Sequence, residues 1–347
     1  MSTISTIGAG SWGTALSIVL ARAGHQVRLW GRDSGLIREI ADRRENAKYL
    51  PGGIVPESVA VTADEAAALA GADVVLFVVP SVGLRDIVRR VAPHVPREAV
   101  VVSASKGLES DTGKRLTEVI AEELPVRVHD RLVALSGPNL AVEVVRGVPT
   151  AAVVASTNRD AAVRVQDLFS VPLFRVYTST DVAGVELGGA LKNIIAIGAG
   201  INDGLGYGDN TKAALCTRGL VEMARLAVAL GGRPETLSGL AGVGDLMATC
   251  VSRQSRNWNV GHKLGLGQKT EDILAGMVQI AEGIPTTRAA KDLAAKLGIE
   301  MPITEQLYEV IYHDKPAPLA VGDLMSRDRK DEMEHLADLR ELGWDRP

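Results

Sequence analysis

Three glycines near the start of the chain, Gly8, Gly10 and Gly13, have the spacing of a loop that binds the pyrophosphate of a dinucleotide. They follow a short apolar run that ends at Ile7 and precede apolar residues at helical spacing from Ala15 to Leu20. In such a turn the first glycine allows the tight bend, the second allows close approach of the phosphates, and the third allows helix and strand to pack. The amide groups and dipole of the helix N-terminus bind the phosphate. The pattern therefore predicts a nucleotide site at these glycines.

The residues after the next predicted strand bear on which dinucleotide binds. That strand, Gln26 to Trp30, is followed by Arg32 and Asp33. An acidic residue about 20 positions after the glycine turn bonds the ribose 2′-hydroxyl in many NAD-specific proteins. A guanidinium suits the 2′-phosphate of NADP because its planar fork holds two oxygens at once. We expect NADP(H) to be accepted; NAD(H) bound through Asp33, and Arg32 as a solvated loop charge, remain alternatives.

Two polar segments follow predicted strands of the first half of the chain. Lys106 comes shortly after the strand Ala99 to Ser103, and Gly137 and Asn139 come after the strand Leu132 to Leu135. Open α/β sheets bind their ligands outside the carboxyl ends of the strands. The positions predict a ligand site that includes Lys106 and Asn139.

A lysine and an asparagine stand inside an otherwise buried-looking helical stretch, Gly184 to Gly198. Lys192 and Asn193 have apolar or very small neighbours on both sides. A lysine on a helix usually faces solvent, but the apolar and very small neighbours of Lys192 predict a buried position. We therefore predict a functional role for Lys192.

A fourth polar segment combines Asp245, in a glycine-rich turn, with Ser255, Arg256 and Asn257. Hydroxyl, guanidinium and amide groups in a row supply a dense set of hydrogen-bond donors. Such donors favour a phosphate ligand.

The elements that position these residues change in type along the chain. The first half alternates strand-like and helix-like segments, and its further strand-like runs are Ala72 to Val79, Ala151 to Ala155 and Leu173 to Val176. The run from Ala72 is continuously apolar, as in a parallel strand buried on both faces. The alternation predicts an α/β fold whose N-terminal part is a Rossmann-type, doubly wound, mostly parallel sheet.

From about Thr180 the strand-like runs vanish, and helical spacing dominates in blocks such as Thr217 to Leu230 and Arg288 to Leu297. A length of 347 residues also favours two domains at about 150 residues each. We predict a dinucleotide-binding domain over residues 1–179 and an all-helical, substrate-binding domain over residues 180–347. We expect the active site in the cleft between them.

Composition excludes several classes of partner. A formal net charge of −4 gives no reason to expect nucleic acid. No apolar run approaches the length of a membrane span, and no signal-peptide pattern precedes the first strand. Two cysteines cannot form a disulfide framework and suggest a reducing compartment, so we expect a cytoplasmic protein. Six scattered histidines and no cysteine pair at ligand spacing predict no metal site.

Taken together, the segments resemble the bacterial NAD(P)-dependent sn-glycerol-3-phosphate dehydrogenases. The matching pieces run in family order from residue 7 to residue 305 and are GAGSWGTA, SKGLE, LSGPN, GVELGGALKNIIAIGAG, TRGLVEMARLAVALG, GLAGVGDLMATC, QSRN, EG and MPITE. The GALKN segment and the pair GVGD and SRN are far more specific than the glycine turn. The resemblance implies hydride transfer between a nicotinamide and dihydroxyacetone phosphate or sn-glycerol 3-phosphate, in a homodimer that supplies phospholipid synthesis.

The resemblance also implies roles for individual residues. Besides the glycines, the implied cofactor contacts are Ser11, Trp12, Arg32, Asp33, Lys106, Ala141, Arg256, Ile280 and Glu282. The implied substrate contacts, with Asn193 added for its position beside Lys192, are Lys106, Gly137, Asn139, Lys192, Asn193, Asp245, Ser255, Arg256 and Asn257. Lys192 matches the proton acceptor, and we predict Lys192 and Lys106 as the catalytic residues. Asn139 departs from the family, which often has a hydroxyl residue there.

In the implied reaction, Lys192 donates a proton to the carbonyl oxygen as negative charge develops there during reduction. In the oxidation direction, its neutral amine accepts that proton. A free lysine titrates far above neutral pH, so we hypothesise that partial burial, with Lys106 and Arg256 close by, lowers the pKa of Lys192. Two alternatives remain: another β-hydroxyacid-type dehydrogenase, in which Arg256 holds a carboxylate, and a cofactor-binding sensor without turnover.

Overall fold

A single sheet of eight strands lies in the N-terminal half of the described chain. The computed structural model describes residues 1–332. The strands are β1 (Thr3–Ile7), β2 (Gln26–Trp30), β3 (Val59–Thr62), β4 (Val74–Phe77), β5 (Val100–Ser103), β6 (Leu132–Ser136), β7 (Thr150–Ala155) and β8 (Phe174–Ser179). Their order across the sheet is β3-β2-β1-β4-β5-β6-β7-β8. All neighbours are parallel except β6 and β7, which are antiparallel.

The strand order reverses between β1 and β4, which pair through Ile4 with Val74 and Ile7 with Phe77. Doubly wound sheets bind their ligand at such a switch point, outside the carboxyl ends of the strands. The glycine turn follows β1 directly and therefore lies at this point.

The alternation of side chains along each strand explains why both faces of the sheet are covered. On β4, Val74 and Leu76 belong to one buried cluster, and Val75 and Phe77 belong to another on the opposite face. Successive side chains of a strand point to opposite faces, so an uninterrupted apolar run requires helices on both sides. The apolar sequence of β4 is therefore typical of a central strand that is covered on both faces.

Seven α-helices cover this sheet within the described residues. They are α1 (Ser11–Arg22), α2 (Ser34–Arg43), α3 (Glu65–Leu69), α4 (Leu84–Val91), α5 (Leu116–Glu123), α6 (Ala141–Val145) and α7 (Arg159–Leu168). Three of these helices are capped by a side chain that accepts hydrogen bonds from backbone amides of the first turn. The capping residues are Asp33 on α2, Asp64 on α3 and Asn158 on α7. Such caps satisfy amides that have no partner inside the helix.

The described chain after β8 is helical. Its α-helices are α8 (Val182–Gly204), α9 (Asp209–Ala229), α10 (Pro234–Leu237), α11 (Asp245–Val251), α12 (Arg256–Gly265), α13 (Thr270–Ala275), α14 (Gly283–Leu297), α15 (Pro302–Tyr312) and α16 (Ala317–Met325). Contrary to the expectation that no apolar run approaches this length, the helix α8 is apolar and long enough to cross a membrane, but 83% of its most apolar window is buried inside the protein. It is the central helix of a second core.

Small residues let α8 and α12 cross with their backbones in contact. A Cβ at Gly200 would collide with the carbonyl of Trp258, and a Cβ at Gly261 would collide with the carbonyl of Ile197. Glycine is therefore required on both helices at this crossing. The close approach brings the N-terminus of α12 beside the middle of α8.

By their internal contacts the residues form two compact units. One comprises Met1–Ser105 and Leu116–Val182, and the other comprises Lys106–Arg115 and the chain from Ala183 onward. The segment Lys106–Arg115 differs from the predicted division at 179/180 because it packs with the helices. Leu108 is fully buried in the helical core, and Arg115 pairs with Glu186 of α8 at 3.1 Å. Residues 333–347 of the predicted second domain lie outside the described residues.

The predicted fold class is confirmed. Every predicted strand is present, with small differences in its ends; the run from Ala72 to Val79, for example, is a strand only over Val74–Phe77. The edge strand β3 was missed because its four residues, Val59–Thr62, are too short to give a clear alternation.

Candidate active site

The glycine turn has the shape that its spacing predicts. Gly8 has a positive φ of 125°, and a Cβ there would collide with the carbonyl of Val78. A Cβ at Gly13 would collide with the carbonyl of Gly8. Nothing lies within 4 Å of the Cβ position of Gly10, so the backbone at this glycine is open to a ligand.

An asparagine that the sequence analysis did not identify holds this turn. The Asn46 side chain is completely buried, and its Nδ2 donates to the carbonyl of Ala9 at 2.9 Å and to Oγ1 of Thr14 at 2.8 Å. Its Oδ1 accepts from the amide of Tyr49 at 3.2 Å. Asn46 therefore fixes the middle of the turn to the first helix. No pattern in the sequence indicates this contact, because Asn46 lies in a loop distant along the chain.

The start of α1 fits a dinucleotide. Ser11 and Trp12 lie in its first turn, where amide groups have no acceptor inside the helix. The indole Nε1 of Trp12 is buried without a hydrogen-bond partner among the described residues. Open backbone at Gly10, a helix N-terminus and a buried donor together match the needs of a pyrophosphate-containing cofactor. Ala141, the first residue of α6, is half-buried, and α6 packs against α1.

Arg32 and Asp33 differ in how far their side chains are engaged. Both are exposed at the carboxyl end of β2. Oδ1 of Asp33 accepts from the amides of Gly35 at 3.0 Å and Leu36 at 3.1 Å, and so caps α2. Arg32 has no ion pair with another residue in the described part of the chain.

Gly137 and Asn139 follow β6 at the same carboxyl edge. Gly137 has a φ of 130°, and a Cβ there would lie 3.0 Å from Cα of Ala152 in β7. Nδ2 of Asn139 donates to the carbonyl of Ala151 at 3.1 Å, whereas its Oδ1 is buried and has no partner within the described residues. That orphan acceptor is available to a ligand's hydroxyl or amide group.

Two lysines share one buried carboxylate in the helical unit. Nζ of Lys106 donates to Oδ2 of Asp245 at 2.7 Å, and Nζ of Lys192 donates to Oδ1 at 2.9 Å. The side chains of Lys192 and Asp245 are 8% and 3% exposed, and that of Lys106 is 18% exposed. The structure therefore joins three residues that the sequence analysis placed in the site separately. We call Lys106, Asp245 and Lys192 the lysine–aspartate cluster.

Thr249 completes the contacts of Lys192. It lies one helical turn after Asp245 on α11, and its Oγ1 accepts from Nζ of Lys192 at 2.6 Å while donating to the carbonyl of Asp245 at 2.6 Å. The sequence analysis did not identify Thr249, although its spacing of four from Asp245 on a helix places both on one face. A π-helical turn, Leu240–Gly244, precedes α11 and packs closely against Gly188 of α8.

Burial lowers the pKa of Lys192 to about 8, and the charge of Lys106 contributes, while Asp245 acts against the shift. This agrees with the hypothesis drawn from the sequence, except that Asp245 and Lys106, rather than Arg256, are the main charges. For Asp245, burial opposes ionisation, but the two lysines outweigh it and lower the pKa of the carboxyl. A lysine that titrates near neutral pH is suited to proton transfer.

The Ser255, Arg256 and Asn257 segment forms the N-terminus of α12. Oγ of Ser255 caps the helix by accepting from the amide of Trp258 at 3.2 Å, and Arg256 is exposed in the first turn. Asn257 is buried and donates to Oδ1 of Asn193 at 2.8 Å. This bond fixes the helix N-terminus beside the residue that follows Lys192.

Asn257 also links this segment to α14. Its Oδ1 accepts from the amide of Gly283 at 2.9 Å. Glu282, the residue before α14, is half-buried, whereas Ile280 is exposed in the preceding loop. Among the described residues, no cluster of three or more histidine, cysteine or acidic side chains could hold a metal ion.

Comparison with known proteins assigns both parts of the chain. The family model of the NAD-dependent glycerol-3-phosphate dehydrogenase N-terminus matches residues 3–162, and that of its C-terminus matches residues 181–321. The chain is 51% identical over 340 residues to a glycerol-3-phosphate dehydrogenase (NAD(P)+) from Geobacillus thermodenitrificans, covering 98% of this chain and 99% of the relative.

Solved structures agree with this assignment. A crystal structure of a glycerol-3-phosphate dehydrogenase from Coxiella burnetii superposes with a TM-score of 0.90 at 40% identity, covering 94% of this chain and 99% of that one. The glycerol-3-phosphate dehydrogenase from Saccharomyces cerevisiae superposes with a TM-score of 0.78 at 29% identity, covering 94% of this chain and 99% of that one.

Proposed function

The chain belongs to the NAD-dependent glycerol-3-phosphate dehydrogenase family, and from this membership we propose that it interconverts dihydroxyacetone phosphate and sn-glycerol 3-phosphate, using NADP(H) or NAD(H). It is an oxidoreductase. The observation that supports this activity best is the lysine–aspartate cluster, because reduction of a ketone needs a proton donor at the carbonyl oxygen.

Lys192 is the proton donor in this proposal. As the carbonyl carbon of dihydroxyacetone phosphate is reduced, negative charge grows on its oxygen, and a nearby ammonium stabilises that charge. The Lys192 ammonium then gives its proton to the oxygen. In the reverse direction the neutral amine accepts the proton from the C2 hydroxyl. A pKa of about 8 allows both protonation states near neutral pH.

Asp245 and Thr249 orient Lys192, and Lys106 assists it. Two of the three donor directions of the ammonium are occupied by Asp245 and Thr249, which leaves the third for substrate. Lys106 is tied to the other oxygen of Asp245, so its positive charge is held close to the same region. We assign it a second contact with the substrate oxygen.

The substrate phosphate binds, in this proposal, at the N-terminus of α12. Arg256 is exposed there and supplies a planar pair of donors, and the helix dipole favours an anion at this end. The bond between Asn257 and Asn193 supports the assignment because it fixes the phosphate site relative to Lys192. We retain Ser255 and Asn257 as members of this site.

The glycine turn and Trp12 hold the cofactor, with Ala141, Ile280 and Glu282 as further contacts. When bound, the nicotinamide supplies or accepts the hydride. Arg32 binds a 2′-phosphate, since it lacks an ion pair in the described chain whereas Asp33 caps α2. We therefore propose that NADP(H) is accepted.

Four broader proposals accompany the activity. The chain has a dinucleotide-binding domain over residues 1–179 and a substrate-binding domain over residues 180–347. It acts as a homodimer. Its two cysteines are free, which is consistent with a reducing cytoplasm. Its product serves glycerophospholipid synthesis.

An absorbance assay at the nicotinamide band tests the activity. Purified protein with NADPH and dihydroxyacetone phosphate should oxidise the cofactor, and a phosphate-free 2-oxo or 3-oxo acid should give no comparable rate. Turnover of the oxo acid alone would support the β-hydroxyacid alternative. Cofactor binding without turnover of any of these ketones would support a sensor and contradict the proposal.

A further inference from the structure

The segment Lys106–Arg115, which we call the Lys106 loop, packs with the helices of the second unit. Leu108 is fully buried in the helical core, and a Cβ at Gly113 would lie 2.9 Å from the side chain of Leu293 on α14. The proposed reaction uses Lys106 and no other residue of this loop. The contacts of the other residues with the helices therefore decide where Lys106 lies.

Backbone contacts join the two ends of the Lys106 loop. The amide of Glu109 donates to the carbonyl of Lys114 at 3.0 Å. An antiparallel bridge pairs Leu108 with Arg115. Because the ends are joined, a contact that fixes Arg115 also fixes the residues that follow Lys106.

An ion pair anchors the joined ends of the loop to α8. Nη1 of Arg115 donates to Oε2 of Glu186 at 3.1 Å, and the two side chains are 19% and 7% exposed. Exposed ion pairs contribute little to a structure, but removing one partner of a buried pair leaves an uncompensated charge and is strongly unfavourable. The largely buried pair of Arg115 and Glu186 therefore holds the loop firmly.

Glu186 lies on the helix that also locates the rest of the lysine–aspartate cluster. Lys192 follows it on α8. A Cβ at Gly188 would collide with the backbone of the π-helical turn that precedes α11, and Asp245 is the first residue of α11. One helix thus locates Lys192 directly, Asp245 through this turn, and the Lys106 loop through its ion pair.

We propose that the ion pair of Arg115 and Glu186 positions Lys106 for reduction of the ketone. It holds the Lys106 loop on α8, so that Nζ of Lys106 stays 2.7 Å from Oδ2 of Asp245, where it can contact the substrate oxygen. Arg115 and Glu186 are positioning residues that act through Lys106. Their role rests on the proposed function, in which Lys106 assists the proton donor.

The first test is Glu186→Gln, which keeps the length of the side chain and removes its charge. With the weaker hold on Arg115, the ammonium of Lys106 moves away from Asp245. A misplacement of about 1 Å in a catalytic site can lower the rate by about 100-fold. We therefore expect kcat/KM for dihydroxyacetone phosphate at neutral pH to fall by about 10- to 100-fold.

The pH profile separates positioning from a general loss of structure. The ionisable groups that face Lys192 are Asp245 and Cys250 on α11 and Lys106 on its loop. Burial lowers the pKa of Lys192, and the charge of Lys106 lowers it further. A neighbouring charge shifts a pKa by about one to three units, so withdrawal of Lys106 should raise the alkaline limit of ketone reduction by about one pH unit. Partial unfolding would lower activity at every pH without moving this limit.

Variants at the other partner and at a second ion pair complete the experiment. Arg115→Met should reproduce both effects, whereas Arg115→Lys keeps the charge and should restore part of the rate and of the pH profile. The matched control is Glu300→Gln, because Glu300 pairs with Lys330 at 3.1 Å in the same unit but is 61% exposed. It should keep the rate and the limit of the unmodified enzyme. Hydrogen exchange of the amides in residues 106–115 should be faster in Glu186→Gln than in this control.

The proposal is overturned if Glu186→Gln keeps the rate of the unmodified enzyme, or loses rate while its alkaline limit stays in place. An equal loss in Glu300→Gln, or no recovery in Arg115→Lys, would also overturn it. Hydrogen exchange does not depend on turnover. An unmodified enzyme that fails to reduce dihydroxyacetone phosphate contradicts the proposed function, whereas unchanged exchange of the loop in Glu186→Gln contradicts the anchor itself.

Discussion

Replacing Asp245 with asparagine should move the alkaline limit of ketone reduction to lower pH. Reduction needs the Lys192 ammonium, so activity is present below its pKa of about 8 and lost above it. Burial and Lys106 lower that pKa, and Asp245 opposes them. In Asp245→Asn the opposing charge is gone while burial and Lys106 remain, so the ammonium is lost at a lower pH.

The geometry sets the size of this shift. The ammonium nitrogen of Lys192 lies 2.9 Å from Oδ1 of Asp245, with both side chains buried. Two unit charges about 4 Å apart at an effective dielectric constant of about 20 interact by about 4 kcal/mol. One pKa unit corresponds to about 1.4 kcal/mol, so the limit should fall by up to about three pH units. At pH 7 the ammonium fraction, and with it kcat/KM for reduction, should then fall by about 100-fold.

The assay is kcat/KM for dihydroxyacetone phosphate across the acid, neutral and alkaline range. Asp203→Asn is a matched control because Asp203 lies further along α8 and pairs with a different lysine, Lys212, at 2.8 Å. Its pH profile should follow that of the unmodified enzyme. Circular dichroism of both variants should confirm that they fold.

The reasoning is refuted if the alkaline limit of Asp245→Asn stays in place or rises. It is equally refuted if Asp203→Asn shifts the limit as far, because the effect would then be unspecific.

Three further predictions concern binding. Arg256→Ala should raise KM for dihydroxyacetone phosphate by about 10- to 100-fold with little change in kcat, since charge-assisted bonds to a phosphate contribute about 1.5–3 kcal/mol; an unchanged KM would place the phosphate elsewhere. Arg32→Ala should raise the Kd of NADPH about tenfold and leave that of NADH unchanged, and an equal effect on both cofactors in equilibrium titrations would contradict a contact with the 2′-phosphate. Asn46→Asp removes two donors from the glycine turn and should raise the Kd of both cofactors about tenfold without affecting KM for the ketone; a normal Kd would exclude a positioning role.

Much of the fold could be predicted from the sequence because, along the first half of the chain, the spacing of apolar residues and the residues that end each apolar run indicate the same elements. The glycine turn, the apolar strand Val74–Phe77 and the loss of strand patterns after Thr180 each depend on local sequence. The path of Lys106–Arg115 could not be predicted in this way. It packs with the helical unit through Leu108 and the pair of Arg115 and Glu186, which are contacts between distant parts of the chain.

The site shows the same division between local and long-range information. Lys192 was recognisable because a charge inside an apolar helix is anomalous in the sequence itself. The sequence placed Asp245 in the site but not as a partner of Lys192, and it did not indicate Thr249, because both reach Lys192 across the contact between α8 and α11. The polar side chain of Asn257 predicted a ligand contact, but in the structure it forms hydrogen bonds with Asn193 and with the amide of Gly283.

Turnover of Lys192→Met with dihydroxyacetone phosphate and NADPH tests the central claim most directly. Methionine keeps an unbranched side chain in the buried position and removes the proton donor. We predict that kcat falls by about 100- to 10,000-fold while the Kd of NADPH stays unchanged. A kcat close to that of the unmodified enzyme would contradict the account.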